Sequence, residues 1–203
     1  LTNLETIKTS KMKKNVLSIA MTIVFGALAV ANNPVNDEKK EVKTEESTVA
    51  WKAYKVTGSH TGTVNLKSGA LMFDNGQLSG GEFEVDMTSL VSTDLEGEYK
   101  GKLEGHLKSD DFFGVETFPT SSIVFKNVKS TGKNSYEVTG DLTVKGITKP
   151  VTFDVSVYGS KATATLKIDR AQYDVKYGSG SFFDDLGDKT IYDEFDLVVD
   201  LEF

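Results

Sequence analysis

The chain has 203 residues, with 30 acidic side chains against 23 basic ones and no cysteine. A formal charge of −7 offers no basic face for nucleic acid and no polybasic anchor for anionic lipid. The lack of cysteine excludes disulfides, thiol nucleophiles, thiolate metal sites and a lipid-modified cysteine, so any domain here is held by its core alone.

Residues 1–11 precede Met12 and read as an upstream, non-native start. From Met12 the chain runs MKKNVLSIAMTIVFGALAVA, with Lys13 and Lys14, an apolar run and then Ala29-Val30-Ala31. Those features in that order predict a cleaved secretory signal peptide over residues 12–31 and a periplasmic or secreted protein. The apolar run is shorter than the roughly 20 residues of a spanning helix. Cleavage after Ala31 removes a net +3 and leaves a mature chain near −10. Residues 32–48, NNPVNDEKKEVKTEEST, are polar and mixed in charge, which predicts a disordered linker.

Alternation begins at residue 49, and residues 49–203 are expected to form one domain. GEFEVDM sets Phe83, Val85 and Met87 against Glu82, Glu84 and Asp86. KATATLKID sets Ala162, Ala164, Leu166 and Ile168 against Lys161, Thr163, Thr165 and Lys167. FDLVVDLEF places Phe195, Leu197, Val199, Leu201 and Phe203 on one side. Period two predicts antiparallel strands with one buried face and one wet face. Similar strands are predicted at 51–57, 61–66, 69–73, 121–128, 136–144 and 151–158, with Asn75-Gly76 as a hairpin turn. The class is therefore all-β, eight or nine strands in a single barrel or sandwich. One stretch breaks the period. Leu95, Tyr99, Leu103 and Leu107 fall on an amphipathic stripe, while Gly97, Gly101 and Gly105 recur every four residues. That predicts one short helical segment, either docked closely through its glycines or partly irregular.

EGHLKSDDFF, residues 104–113, has two readings. His106 could act as a base oriented by Asp110 or Asp111, which would make a hydrolase. Alternatively Ser109 or Asp110 caps a turn and Phe112 and Phe113 pack onto the strands. No nucleophile motif or zinc-binding HExxH pattern accompanies His106, and the other histidine, His60, is far away in sequence. Arg170, the single arginine, could grip an anionic head group or pair with Asp169, Asp174 or a carboxylate at a helix end. Gly178–Ser181 reads as an anion nest or a loop tip, and Asp184, Asp185 and Asp188 lack the spacing of a calcium loop. No metal and no cofactor is expected.

HTGTV at 60–64, GGEFEVDMTSL at 80–90, HLKSDDFF through Pro119, GDLTVKGITKPVTF at 140–153 and DRAQYDVKYGSGSFFDDLGDK at 169–189 together resemble the YceI-like family of secreted bacterial proteins. The resemblance covers essentially all of residues 50–203. It implies an extended, lipocalin-like antiparallel barrel of about eight strands. It also implies an apolar pore for a polyisoprenoid, a quinone or another long-chain lipid, bound without catalysis. Small inward residues, Ala162, Ala164 and Gly140, would leave room in such a pore. Strand parity then places Phe83 and Val85, Ile123 and Phe125, Leu142 and Val144, and Phe153 and Val155 in its wall. Ala164, Leu166 and Ile168, with Leu197 and Val199, complete it, and His106 and Arg170 are the head-group candidates. A filled barrel acting as a structural or interaction module, related to stress, is the alternative.

Overall fold

A computed structural model describes residues 37–203. The upstream residues 1–11, the expected leader at 12–31 and the first residues of the expected linker lie outside the described residues. Among the described residues there are nine strands: β1 (Asp37–Glu41), β2 (Thr48–Lys55), β3 (Gly58–Asp74), β4 (Gln77–Ser92), β5 (Thr120–Gly132), β6 (Ser135–Val144), β7 (Ile147–Tyr158), β8 (Lys161–Asp169) and β9 (Ile191–Glu202). One α-helix, α1 (Gly97–Lys108), lies between β4 and β5, and short 3-10 turns occur at Thr44–Glu46, Arg170–Tyr173 and Gly187–Lys189. Among the described residues no helix is long and apolar enough to cross a membrane.

From β2 to β9 each strand pairs antiparallel with the next, and β9 pairs back onto β2, so eight strands close a simple up-and-down ring. Closure leaves one interior, and every second side chain of each regular strand points into it. All the tight turns after β3, β5 and β7 fall at one end of the barrel. The tip after β3 is Asn75-Gly76, with φ of 50° and 78°, the left-handed pair that a two-residue hairpin demands. At this end the Phe73 and Phe203 rings stand 5.8 Å apart beneath the Lys40 ammonium. The two long connections, residues 93–119 and 170–190, both lie at the other end.

Three expectations need correction. The linker does not extend to residue 48, because β1 is a paired strand. It runs along the same edge of β3 that β2 occupies, with Asp37–Glu41 against Asp74–Ala70 and β2 against Val64–Gly58. Val42 is buried between them, its N–H donates to Gly69 O at 2.9 Å, and Lys43 N–H donates to Glu202 O at 2.8 Å. Main-chain bonding holds this segment, so its charged composition hid it. Second, the strands predicted at 61–66 and 69–73 are one strand, β3, bent by irregularities at Thr63/Asn65 and Leu66/Ser68. Each bulge shifts the in–out phase, which mimics a strand break. Third, α1 is regular but not docked through its glycines. A Cβ at Gly101 or Gly105 would meet nothing within 4 Å, and Tyr99 on the supposed apolar stripe is 74% exposed.

Glycine matters instead inside the sheet. Trp51 on β2 lies flat over Gly62 on β3, its register partner. A Cβ at Gly62 would sit 2.3 Å from Trp51 Cζ2 and 1.9 Å from the Val91 carbonyl oxygen. Gly62→Ala should therefore lower stability by about 1–3 kcal/mol through overpacking against backbone. Gly101→Ala, open on all sides in a helix, should raise it by about 0.5–1 kcal/mol. Urea midpoints of the two variants against the parent protein check both signs.

Candidate functional site

Inside the ring lie two adjoining apolar cavities, of about 120 and 100 Å³. They share Val49, Val85, Ser121, Leu142 and Leu197 as walls, so they adjoin inside the barrel and together make up its apolar channel, with those side chains standing between the two halves. The mouthward half reaches the end with the long connections and is lined there by Leu107, Phe112, Phe113, Ile191 and Tyr192. The deep half ends among Leu71, Phe83, Phe125, Phe153 and Leu201. Val85, Ile123, Phe125, Ala164, Leu197 and Val199 line these cavities and are only half-buried, while packing against the buried core. An eight-stranded barrel is just wide enough to be filled by side chains or to hold a small ligand. Here it is not filled.

All thirteen wall residues expected from strand parity border this channel. Val144 and Ile168 lie in the mouthward half, and Val85, Leu142 and Leu197 border both halves. Phe83, Ile123, Phe125, Phe153, Val155, Ala164, Leu166 and Val199 line the deep half. Sequence reasoning passed over Trp51, Val49 and Phe195, which share the same parity and line the mouthward half. It also passed over Leu107, which no strand periodicity could place. Gly140 does not provide channel space. A Cβ there would meet Ile123 Cγ1 at 3.2 Å, so the isoleucine already fills the gap.

Arg170 stands at the mouth and is 3% exposed. Its Nη1 donates to Val175 O at 2.8 Å, its Nη2 to Ile191 O at 3.0 Å and its Nε to Tyr192 O at 3.2 Å. Asp193 Oδ1 lies 3.4 Å from Nη2 and supplies the counter-charge. Neither Asp169 nor Asp174 is the partner. Asp169 instead caps the following turn by accepting from Ala171 N–H. Burial pushes the guanidinium pKa below its ordinary value, and the charges of Asp193 and Asp169 oppose that shift. Burial likewise pushes the neighbouring Tyr173 hydroxyl up to about 12, so it remains protonated. The guanidinium is thus engaged in fastening the 170–190 connection to β9.

His106 does not reach the channel. Its ring is wedged edge-on against Tyr177 at 4.2 Å and Phe112 at 5.7 Å between centroids. Its Nε2 is buried without a hydrogen-bond partner, so neither Asp110 nor Asp111 orients the ring through that nitrogen. Phe112 carries the Arg170 guanidinium 5.3 Å from its centroid on another side. The chain of contacts from Tyr177 through His106 and Phe112 to Arg170 joins the two long connections into one roof. Within SDDFF, Ser109 ends α1, donating its hydroxyl back to His106 O at 2.8 Å, while Phe112 is buried. The packing half of that reading describes this turn, while the cap is the C-terminal cap of α1 rather than one at the start of a following turn.

The remaining histidine belongs to a second cluster. His60 Nδ1 lies 2.9 Å from Asp94 Oδ2, and Ser92 donates its hydroxyl to Asp94 Oδ1 at 2.8 Å. The carboxylate, not the imidazole, is in the middle. A nucleophilic serine needs the imidazole next to it, so the order is wrong for acyl transfer. Burial tends to raise the Asp94 pKa, but hydrogen bonds from His60, Ser92 and Thr61 N–H outweigh it and hold the carboxyl below the usual range. Glu104 on α1 accepts from Ser92 N–H at 2.8 Å, so this cluster fastens the helix to β4. Among the described residues no three His, Asp or Glu side chains converge as a metal site would require.

Fold and interior define a closed antiparallel β-barrel around an apolar channel with a two-part roof. Comparison with known families places the chain within such a group: the YceI-like domain matches residues 41–203, and the chain belongs to the YceI-like family. A UPF0312 protein of Pseudomonas putida is 30% identical over 151 residues, covering 73% of this chain and 74% of the relative. Among solved structures, Burkholderia cenocepacia BcnA superposes with a TM-score of 0.61 at 23% identity, over 79% of this chain and 98% of BcnA. A polyisoprenoid binding domain from Saccharophagus degradans gives a TM-score of 0.57 at 14% identity, over 83% of this chain and 98% of that domain. At these identities the two structures share the fold.

The Arg170 assignment has a direct consequence. Arg170→Ala strands Asp193 and three carbonyl groups, and should cost about 3–5 kcal/mol. Arg170→Lys keeps the charge but loses the fork, and should recover less than half of that. Denaturant unfolding of the two variants decides between a fastening role and a surface one, for which both would be near neutral.

Proposed function

We propose that this barrel is a carrier that holds a long, mostly apolar chain of the polyisoprenoid kind in its channel, without chemistry on it. The observation that supports this most is the pair of adjoining apolar cavities inside the barrel, which share Val85, Leu142 and Leu197 as walls and have Arg170 as their single charged lining residue. A methylene chain in such a channel gains about 0.8 kcal/mol per buried CH₂, so length rather than any single contact supplies the affinity. The Saccharophagus degradans neighbour, described as a polyisoprenoid binding domain, agrees with this reading through a shared fold. The lysine pair, apolar run and Ala29-Val30-Ala31 end of the leader favour export to the periplasm or beyond. The His–Asp–Ser order and the aromatic seat of His106 both favour binding over hydrolysis.

Leu166 tests the proposal. It lies in the wall of the deep half beside Ala164 and Leu197. If the channel holds lipid, Leu166→Trp fills ligand space and should abolish lipid retention with little loss of stability. If the interior behaves as a packed core, the same change is overpacking and costs about 1–3 kcal/mol. Mass spectrometry of organic extracts from parent and variant, read beside their unfolding midpoints, separates the outcomes. A lowered midpoint, with no lipid recovered from the parent protein, would contradict the carrier reading and favour a filled structural module.

A further inference from the structure

Apolar side chains are left in water at the same end of the barrel that carries the long connections. Nine large apolar side chains are exposed among the described residues, and six of them stand at this end. Val56 lies in the turn after β2, Tyr99 on α1, Tyr177, Phe182 and Phe183 in the 170–190 connection, and Tyr192 at the start of β9. Scattered singly they would need no explanation, but gathered at one end they mark a surface that meets another apolar phase. Phe182 and Phe183 are adjacent in the chain and 42% and 50% exposed. Their segment is fastened rather than loose. Both of their N–H groups donate to Ser179 O, at 3.2 and 3.0 Å, and Ile191 N–H donates to Gly178 O at 2.8 Å. Ser181 donates its hydroxyl to Asp193 Oδ2 at 2.6 Å, and Val56 N–H donates to Thr190 O at 3.1 Å. Tyr192 joins this rim to the interior, since it is 51% exposed and yet borders the mouthward cavity.

Charge decides what such a rim fits. The 93–119 connection carries seven acidic side chains against three lysines. The 170–190 connection carries four aspartates against Arg170, Lys176 and Lys189, and Arg170 is buried beside Asp193. A face of that sign repels anionic lipid and nucleic acid. The rings are also flanked by charge, with Lys176 before Tyr177 and Asp184 and Asp185 after Phe183. The Lys176 ammonium lies 5.2 Å from the centre of the Phe182 ring. Apolar rings with charges at their bases suit a layer that is apolar below and wet above, as the surface of a bilayer is. The centre of a protein interface, depleted of charge, suits them less.

From these observations we infer that the rim docks on an electrically neutral bilayer surface, of the phosphatidylcholine or phosphatidylethanolamine kind. Phe182 and Phe183 enter its headgroup layer, and the channel mouth faces the lipid. The inference extends the carrier reading by naming where a ligand is exchanged, and rests on it for that purpose alone.

Sedimentation with sucrose-loaded vesicles tests it, using protein expressed in its native host. The parent protein should bind phosphatidylcholine vesicles equally at low and high salt, and less well as phosphatidylglycerol replaces phosphatidylcholine. The double variant Phe182→Ser, Phe183→Ser should bind about tenfold or more weakly, because burial of the two rings supplies the attraction. Its unfolding midpoint should stay at the parent value, since both rings are exposed. Tyr158→Ser removes a ring that is 60% exposed at the opposite end and should leave vesicle binding unchanged. Phe183→Trp gives a readout that needs no loss of binding: the added emission, taken as the difference from the parent protein, should move to shorter wavelength on phosphatidylcholine vesicles. A parent protein that ignores these vesicles, or a double variant that binds them as the parent does, would overturn the inference. So would binding that needs phosphatidylglycerol and is lost in salt, or a parent dimer that the double variant dissociates, which would give the rim to a second copy. A parent protein that retains lipid but ignores vesicles overturns the docking alone. One that docks but retains no lipid leaves the docking standing and overturns the carrier reading.

Discussion

Closing eight antiparallel strands into a ring commits every second side chain to one shared interior of nearly fixed diameter. In this chain the constraint is met by pairing β9 back onto β2, which removes both sheet edges at once. Whether such an interior becomes a core or a channel then depends on side-chain volume at the inward positions. Ala53, Ala162 and Ala164 stand where leucines or phenylalanines would close the bore, while the large inward rings gather toward the two ends. The alternation of β-branched and aromatic residues with lysines, threonines and carboxylates follows from the same geometry. The wet face needs charge to stay soluble, and the dry face needs apolar surface to hold the ring shut.

The ends of the barrel differ because the connections differ. Tight turns at one end leave no chain to spare, and Phe73 and Phe203 pack there. At the other end the 93–119 and 170–190 connections are long enough to fold over the opening. Arg170 binds the second connection to β9, and Phe112 brings the first one against that guanidinium. Glu104 and Ser92 tie α1 down on its other side. Any chain entering from this end would have to pass a roof whose parts are linked to one another, in which neither α1 nor the Gly187–Lys189 turn has a buried residue. A helix with three glycines and no buried side chain is a weak structure in isolation, so α1 depends on its ties to β4.

Much of this was legible in the residues because period two is a local signal. Phe83 and Val85, or Leu166 and Ile168, declare their side of the sheet without reference to any partner. Trp51 and Phe195 obey the same parity and were available to the same reasoning. What stayed hidden depends on contacts between distant segments. β1 is DEKKE, a strand held by main-chain bonds to β3, with no apolar face to betray it. The bulges in β3 erase the period exactly where that strand must bend. His106 looked like a head-group ligand, since a histidine near a mouth often is one. Its aromatic neighbour Tyr177 arrives from the opposite connection, and no local pattern announces that meeting. Gly140 shows the reverse error: a small inward residue is space only if its cross-strand neighbour leaves it empty, and Ile123 does not.

The lipid-carrier reading depends on two adjoining apolar cavities, between Trp51 and the Phe83, Phe125 and Phe153 rings, being empty space that a chain can join. Crystals of the delipidated protein pressurised with xenon test it most directly, since xenon enters dry apolar cavities and scatters anomalously. The account predicts xenon sites in both halves, on either side of the narrowing formed by Val85, Leu142 and Leu197. No xenon in the barrel, with those three side chains meeting in the middle, would show a packed core and contradict the account.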